Sequence, residues 1–247
     1  VSNIYSSQGD PLSALEFLQN ALTEFEKGND KLIIGRVYNN IGLVYLNLHD
    51  YNKAMEYFQK CLNRNLEIKN IPTFANVYNN IGIVYKEQKQ FDLALENYLK
   101  SLHYYELAGD KRKVANIYGN LGATYDMLKE YEKAKEMLYK AEKIRLEMNE
   151  TNALSLTYNA LGNVFFNTGD YDKSIAYCEK GLKLAENIGI MVSRSDNCNC
   201  LYKAYKAKGE ITKALEYYEI YNSLQDSLFN NDKTREISRK EFKYEYE

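Results

Sequence analysis

The sequence predicts an all-α fold, a right-handed α-solenoid of stacked helix-turn-helix units, and three observations carry that prediction. A glycine returns every forty residues, as Gly42, Gly82, Gly122 and Gly162, inside one repeated phrase: Asn40-Ile41-Gly42-Leu43-Val44-Tyr45, Asn80-Ile81-Gly82-Ile83-Val84-Tyr85, Asn120-Leu121-Gly122-Ala123-Thr124-Tyr125 and Ala160-Leu161-Gly162-Asn163-Val164-Phe165. Two further rows keep step with it: Ala54, Ala94, Ala134, Ser174 and Ala214, and Tyr51, Phe91, Tyr131, Tyr171 and Ile211. Within each period the apolar residues recur three and four apart, the mark of one buried helical face. A fixed period of this length signifies an array in which each unit buries its apolar face only against its neighbours.

Each unit reads as two amphipathic helices. Val37, Tyr38, Ile41, Val44 and Tyr45 form the stripe of the first. His49-Asp50 interrupts, and Ala54, Tyr57, Phe58 and Cys61 carry the stripe of the second. The next break, Lys69-Asn70, is matched by Gly109-Asp110 and Asn149-Glu150, and Gly and Asn or Asp at these helix ends supply left-handed closure and the following N-cap. Pro72 suits the first turn of a helix, where a missing N–H costs nothing, and no proline follows it. The expected division is a partial unit over 1–30, full units over about 31–70, 71–110, 111–150, 151–190 and 191–230, and a capping or connector helix over 231–247.

Physical chemistry accounts for the repeated residue types. Gly42 and Ala54 fall where the two helices of a unit cross closely, and larger side chains would separate them. The 24 tyrosines fill interhelical space with flat apolar bodies while a hydroxyl reaches the rim. Tyr38, Tyr78, Tyr118 and Tyr158 are core positions by periodicity.

Lys plus Arg at 32 nearly balances Asp plus Glu at 34, so no bulk attraction to nucleic acid or an anionic membrane follows. No stretch approaches the roughly 18 apolar residues of a membrane span, and no signal peptide is visible in a chain that begins at Val1. Cys61, Cys178, Cys198 and Cys200 read as small buried hydrophobes. A disulfide between Cys178 and Cys198, on neighbouring helices, is possible but unforced. Cys198-x-Cys200 suits no common zinc site, and His49 and His103 are the only histidines, so no metal or cofactor is expected. There is no phosphate-cradling loop, no nucleophile elbow and no histidine beside a nucleophile, so no enzyme is expected. Asn149-Glu150-Thr151 is formally a glycosylation sequon and reads as chance.

These residues resemble the tetratricopeptide repeat, whose pattern asks for an aromatic, then Leu-Gly, then Tyr, then Ala and an aromatic four residues apart. Tyr38, Ile41-Gly42, Tyr45, Ala54 and Phe58 match it. So do Tyr78, Ile81-Gly82, Tyr85, Ala94 and Tyr98; Tyr118, Leu121-Gly122, Tyr125 and Ala134; and Tyr158, Leu161-Gly162, Phe165 and Ser174. A fifth unit has Tyr202 in place of the glycine but keeps Leu201, Tyr205, Ala214 and Tyr218, and at the front Tyr5, Ala14 and Leu18 match a unit whose beginning is missing. The period is longer than the usual 34 or so residues and the consensus proline is absent. It looks like the long-repeat subgroup of bacterial peptide-responsive regulators and kinesin-light-chain-like adaptors, which bind peptides or protein segments in a concave groove.

The resemblance implies that the first helix of each unit lines that groove. Its candidate contacts are Asn39, Asn79, Asn159 and Asn199, flanked by Arg36, Asn76, Asn116, Asn163 and Lys203, in a channel that also takes in Leu43, Ile83, Phe166 and Lys206. A carboxamide on each rung can bridge the N–H and C=O of an extended peptide. The other reading is that these asparagines, with the second row Asn40, Asn80 and Asn120, tie adjacent helices together. Asparagines stand where a carboxylate clamp would need its first lysine, which argues against recognition of a free acidic C-terminus.

Asn230-Asn231-Asp232 offers an N-cap to a last charged helix with Ile237, Phe242, Tyr244 and Tyr246 as sparse apolar contacts. The exit phrase from Leu224 to Asn230 is similar to that of Bacteroidetes-type signalling proteins, where such an array feeds a histidine kinase, cyclase or transcription regulator. The resemblance thus implies a protein or peptide ligand and an input role. The alternative is a structural module that self-associates through outer helix faces or the C-terminal helix. Neither nucleic acid nor direct membrane insertion is expected. Free cysteines favour a reducing cytoplasm and the signalling resemblance favours the periplasm, so localisation is left open.

Overall fold

The computed structural model describes residues 11–28 and 30–246, and among them every regular element is an α-helix. In order they are α1 (Pro11–Gly28), α2 (Lys31–Asn47), α3 (Tyr51–Ile68), α4 (Ile71–Glu87), α5 (Phe91–Leu107), α6 (Lys111–Met127), α7 (Tyr131–Glu147), α8 (Thr151–Asn167), α9 (Tyr171–Ile188), α10 (Met191–Lys208) and α11 (Ile211–Tyr246). Odd- and even-numbered helices alternate with the forty-residue period. Two compact units divide the chain, the first ending at Thr124 and the second starting at Tyr125, within α6.

Local chemistry sets the helix starts. Asp30, Asp50, Asn70 and Asp170 each accept a hydrogen bond from the backbone N–H three residues on, that of Ile33, Lys53, Thr73 and Lys173. Pro72 lies in the first turn of α4. The connections turn through the left-handed region at Gly109, Gly169, Gly189 and Gly209, but also at His49, Lys69, Lys89, Lys129 and Asn149. A side chain at such a position costs about 1 kcal/mol, so packing, rather than glycine alone, fixes these turns of two or three residues.

In the first unit α2 pairs with α3 and α4 with α5, while α1 packs on α2 and α3 on α4. One core gathers Leu18, Val37, Ile41 and Val44; the next gathers Phe58, Cys61, Val77, Ile81 and Val84. Phe58 and Ile41 are wholly buried, and each such side chain removed from water contributes about 2 kcal/mol. A Cβ on Gly42 would meet the Phe58 ring at 2.5 Å, and one on Gly82 the Tyr98 ring at 2.6 Å. The glycines therefore make room for an aromatic of the partner helix. Ala54 and Ala94 are fully buried beside them.

In the second unit α8 pairs with α9 and α10 with α11, α7 packs on α8 and α9 on α10. Leu138, Leu154, Leu161 and Val164 form one core; Ile175, Cys178, Cys200, Leu201 and Ala204 form the other. Polar side chains join them. Ser155 donates to the Gly181 carbonyl at 2.7 Å, Asn197 donates to the Ser193 carbonyl at 2.7 Å, and Arg145 donates to the Ala153 carbonyl at 3.0 Å and to Thr157.

Two expectations change. All four cysteines are buried, but Cys178 bonds to Cys200, not to Cys198. Cys200 lies on the face of α10 that meets α9, while Cys198, two residues or about 200° away, stays a free thiol, like Cys61. Burial pushes the Cys198 thiol up to about 11 and that of Cys61 to about 12. At the C-terminus, α11 runs without a break through Asn230-Asn231-Asp232, where a fresh N-cap is expected. Asn and Asp cost only tenths of a kcal/mol within a helix, and no glycine or proline enforces a stop. Tyr5 and the apolar contacts expected of Ile237, Phe242, Tyr244 and Tyr246 lie outside the described residues.

Candidate functional site

The even-numbered helices α2, α4, α6, α8 and α10 carry the predicted contact residues. In the first unit the two asparagine rows interlock. Asn80 donates its side-chain N–H to Asn39 Oδ1 at 2.9 Å, and Asn120 donates to Asn79 Oδ1 at 3.0 Å. Within each rung, Asn39 donates to Asn40 at 3.5 Å and Asn79 to Asn80 at 3.3 Å. The rows thus form a ladder that links α2 to α4 and α4 to α6 through carboxamides. Each Asn39 or Asn79 side chain is half-buried and retains a second N–H and a second acceptor lone pair beyond these bonds.

The flanking residues differ among themselves. Asn76 is engaged on both sides, donating to the Pro72 carbonyl at 2.8 Å and accepting from the Tyr105 hydroxyl at 2.7 Å. Burial holds that hydroxyl up at about 12, so it is a permanent donor at neutral pH. Arg36 is exposed and Asn116 half-buried. An open cleft lined by Leu48, His49, Asp50, Tyr51, Asn52 and Gln88 lies at the turns, away from these residues.

The second unit places its residues differently. Position 160 is alanine and position 200 is the bonded cysteine, so the ladder partners are absent. Asn159 instead accepts from Asn163 through its side-chain oxygen at 3.0 Å, while its own Nδ2 is closed off without a partner. Asn159, Asn163 and Asn167 stand four apart and share one face of α8. Asn167 reaches across to α6 and donates to Asp126 Oδ1 at 2.9 Å. Asn199 is half-buried on α10, and Lys203 is exposed one turn on. On the same helix, Lys206 donates to the Tyr202 hydroxyl at 3.2 Å.

Asp126 adds a further candidate to this face through its bond from Asn167. It is half-buried in the last turn of α6, where the helix dipole disfavours an anion. Burial pushes its carboxyl above the usual carboxylate range, and the bond from Asn167 only partly offsets this. The signal was present in the forty-residue register. The equivalent positions hold Leu46, Lys86, Phe166 and Lys206, so Asp126 is the one acid in its row.

Comparison with known proteins agrees with the architecture. The profile of the tetratricopeptide repeat family matches residues 1–67, 73–147 and 155–188. This chain belongs to the tetratricopeptide repeat family. Among curated proteins, no sequence matches it. Among solved structures, it is similar to BtubC (BKLC) from P. vanneervenii, with a TM-score of 0.74 at 18% identity over 90% of each chain. It is similar to a Rap protein complexed with competence and sporulation factor, with a TM-score of 0.70 at 17% identity over 83% of this chain and 58% of that one. It also resembles the signal transduction ATPase PH0952 from Pyrococcus horikoshii, which carries a tetratricopeptide repeat sensor, with a TM-score of 0.75 at 19% identity over 99% of this chain and 41% of that one. At these identities the likeness is one of fold. Among the described residues, no helix of this repeat protein is long and apolar enough to cross a membrane, and no group of three or more His, Cys, Asp or Glu is placed to hold a metal ion.

Proposed function

We propose that this tetratricopeptide repeat chain binds a peptide or an extended protein segment along its even-numbered helices, as the input region of a bacterial signalling protein. The observation that carries the reading is the row of half-buried carboxamides with hydrogen-bonding capacity to spare. Asn39 and Asn79 are held by ladder bonds at fixed angles, and Asn159 by Asn163. Side chains immobilised in this way lose little entropy on binding, and Asn39 and Asn79 can each pair with a peptide group that would otherwise stay in water. The Rap protein complexed with competence and sporulation factor and the signal transduction ATPase with its repeat sensor are similar in fold, which supports a sensory role.

The specific test is a peptide display selection on immobilised wild-type chain and on a variant with Asn159→Ala, Asn199→Ala and Lys203→Ala. Enrichment of a peptide family by the wild type and its loss from a variant of unchanged helicity supports the reading. Equal enrichment by both moves binding away from these residues.

One observation favours a second reading, assembly through the C-terminal helix. Met55 on α3 is half-buried against one core and Ile175 on α9 is buried within another. The equivalent residue of α11, Leu215, is 55% exposed, beside Ile211 and Tyr218. Sedimentation of wild type against Leu215→Glu distinguishes the two readings, because only assembly predicts a change of mass.

A further inference from the structure

The geometry points to a cation-recognition subsite in the second unit, in which Asp126 and Asn167 receive the ammonium or guanidinium of a bound peptide. This inference rests on the peptide-binding reading and adds a ligand class to it.

Asp126 presents a half-buried carboxylate that accepts from a neutral carboxamide, Asn167, at 2.9 Å. Among the described residues it forms no ion pair, whereas carboxylates such as Glu67, Glu96, Glu136 and Glu210 are paired with lysines. The position compounds the cost. A carboxylate in the last turn of a helix faces the carbonyl end of the dipole, and partial burial removes the water that would relieve it. Burial accordingly pushes this carboxyl up. A side chain held in such a state without an internal cation is suited to an external one. Asn167, fixed by its donation to Asp126, keeps its carbonyl oxygen free to accept a second N–H from the same cation.

The neighbouring positions fit the stem of a long cationic side chain. Phe166 occupies the row of Asp126 on the next even-numbered helix and is half-buried, and Met127, next to Asp126 in the chain, is 52% exposed. An aliphatic stem can lie on these two while its head reaches the carboxylate. Further along the row stands Lys206, so the row in the second unit holds an acid on α6 and a base on α10. A free N-terminal amine offers the same chemistry as a lysine or arginine side chain, and the experiment separates the two.

The test is a positional-scanning set of synthetic decapeptides, each member N-acetylated or free, measured by fluorescence anisotropy against wild type, Asp126→Asn and Asn167→Ala. Asp126→Asn is isosteric and leaves the fold intact, as circular dichroism checks. The wild type is expected to prefer Lys or Arg over norleucine at one position by about tenfold, the scale of one charge-assisted hydrogen bond, and Asp126→Asn to lower that preference to within about twofold. A preference confined to unacetylated peptides assigns the subsite to the N-terminal amine; a preference kept after acetylation assigns it to a side chain. Binding with no cation preference, or a preference that survives Asp126→Asn, overturns the subsite and leaves peptide binding standing. No binding of any peptide overturns both.

Discussion

The two units share one repeat and fill it by different means. In the first, the position after each rung asparagine is again asparagine, and Asn80 and Asn120 link successive even-numbered helices through side-chain hydrogen bonds. In the second, that position holds Ala160 and then Cys200, and Cys200 reaches instead to Cys178 on α9. Cys178 stands where the first unit has Phe58 and Tyr98, the aromatic that packs over the repeat glycine. One disulfide thus replaces both a core aromatic and a rung of the ladder, and a Cβ on Gly162 would meet its sulfurs as one on Gly42 meets Phe58. The cores diverge in parallel. Val37, Val77 and Ile117 become Thr157 and Asn197, buried and hydrogen-bonded. The register specifies where helices must touch; it leaves open which interaction makes the contact.

The comparison is sharpest at the disulfide. The bond closes a loop with a sequence separation of 22, for which restriction of the unfolded chain contributes about 3 kcal/mol. Equilibrium urea unfolding with a dithiol reductant is therefore expected to destabilise α9 and α10 by that order. Hydrogen exchange resolved by peptide should show the loss there, while amides of α2 to α5 keep their protection. Cys178→Ser should reproduce the loss and abolish any further effect of reductant. Uniform loss of protection across both units would mean that the array unfolds as one body and that the disulfide is not a local device.

The ladder yields a smaller difference. Asn79→Ala removes the acceptor of the Asn120 bond and leaves a part-buried N–H without its partner, a cost of about 1 kcal/mol. Asn159→Ala, at the equivalent position, removes an acceptor that serves only its own helix, together with an N–H that already lacks a partner. Its expected cost is below about 0.5 kcal/mol. Thermal melts of the two single variants measure the contrast. Equal costs would show that the ladder stabilises nothing beyond what a local pair does.

Much of this was legible in the sequence. The helices, their forty-residue order and the core rows follow from periodicity, and Ala54, Phe58, Ile81 and Leu161 are buried as their spacing requires. The interactions that distinguish the units were less legible, because they depend on which neighbour a face meets. Cys198 and Cys200 differ by two residues, and helical phase decides which of them meets Cys178. The asparagine rows recur visibly, yet their pairing at a separation of 41 residues joins one row of a unit to the other row of the next. That register emerges only when helices are stacked. The left-handed lysines at 69, 89 and 129 carry no local signal at all, since lysine is a poor choice for that backbone.

The smallest expected effect is the one that ties stability to recognition. Burial raises the Asp126 carboxyl above its ordinary value, so the folded state holds this proton more tightly than the unfolded state does. The contribution is fully present below the unfolded value, near 3.8, and is lost as pH rises through the folded one. At neutral pH the ionised group therefore works against folding. Asp126→Asn is expected to be more stable than the wild type at pH 7, by no more than about 0.5 kcal/mol because solvent still screens the half-exposed carboxylate. The gap should close as pH falls below the folded value, where both side chains are neutral. A carboxylate held below its usual range runs the other way. Glu210, whose carboxyl is held below its usual range first by the bond from Lys213, loses stability when replaced and as the medium becomes acidic. Urea midpoints of wild type and Asp126→Asn between pH 3 and pH 8 measure the sign. A variant that gains stability while losing its cation preference marks Asp126 as a residue kept at some cost to the fold. A variant that loses stability at pH 7 would mean that the carboxylate supports the α6–α8 contact through Asn167, and that the site is architecture.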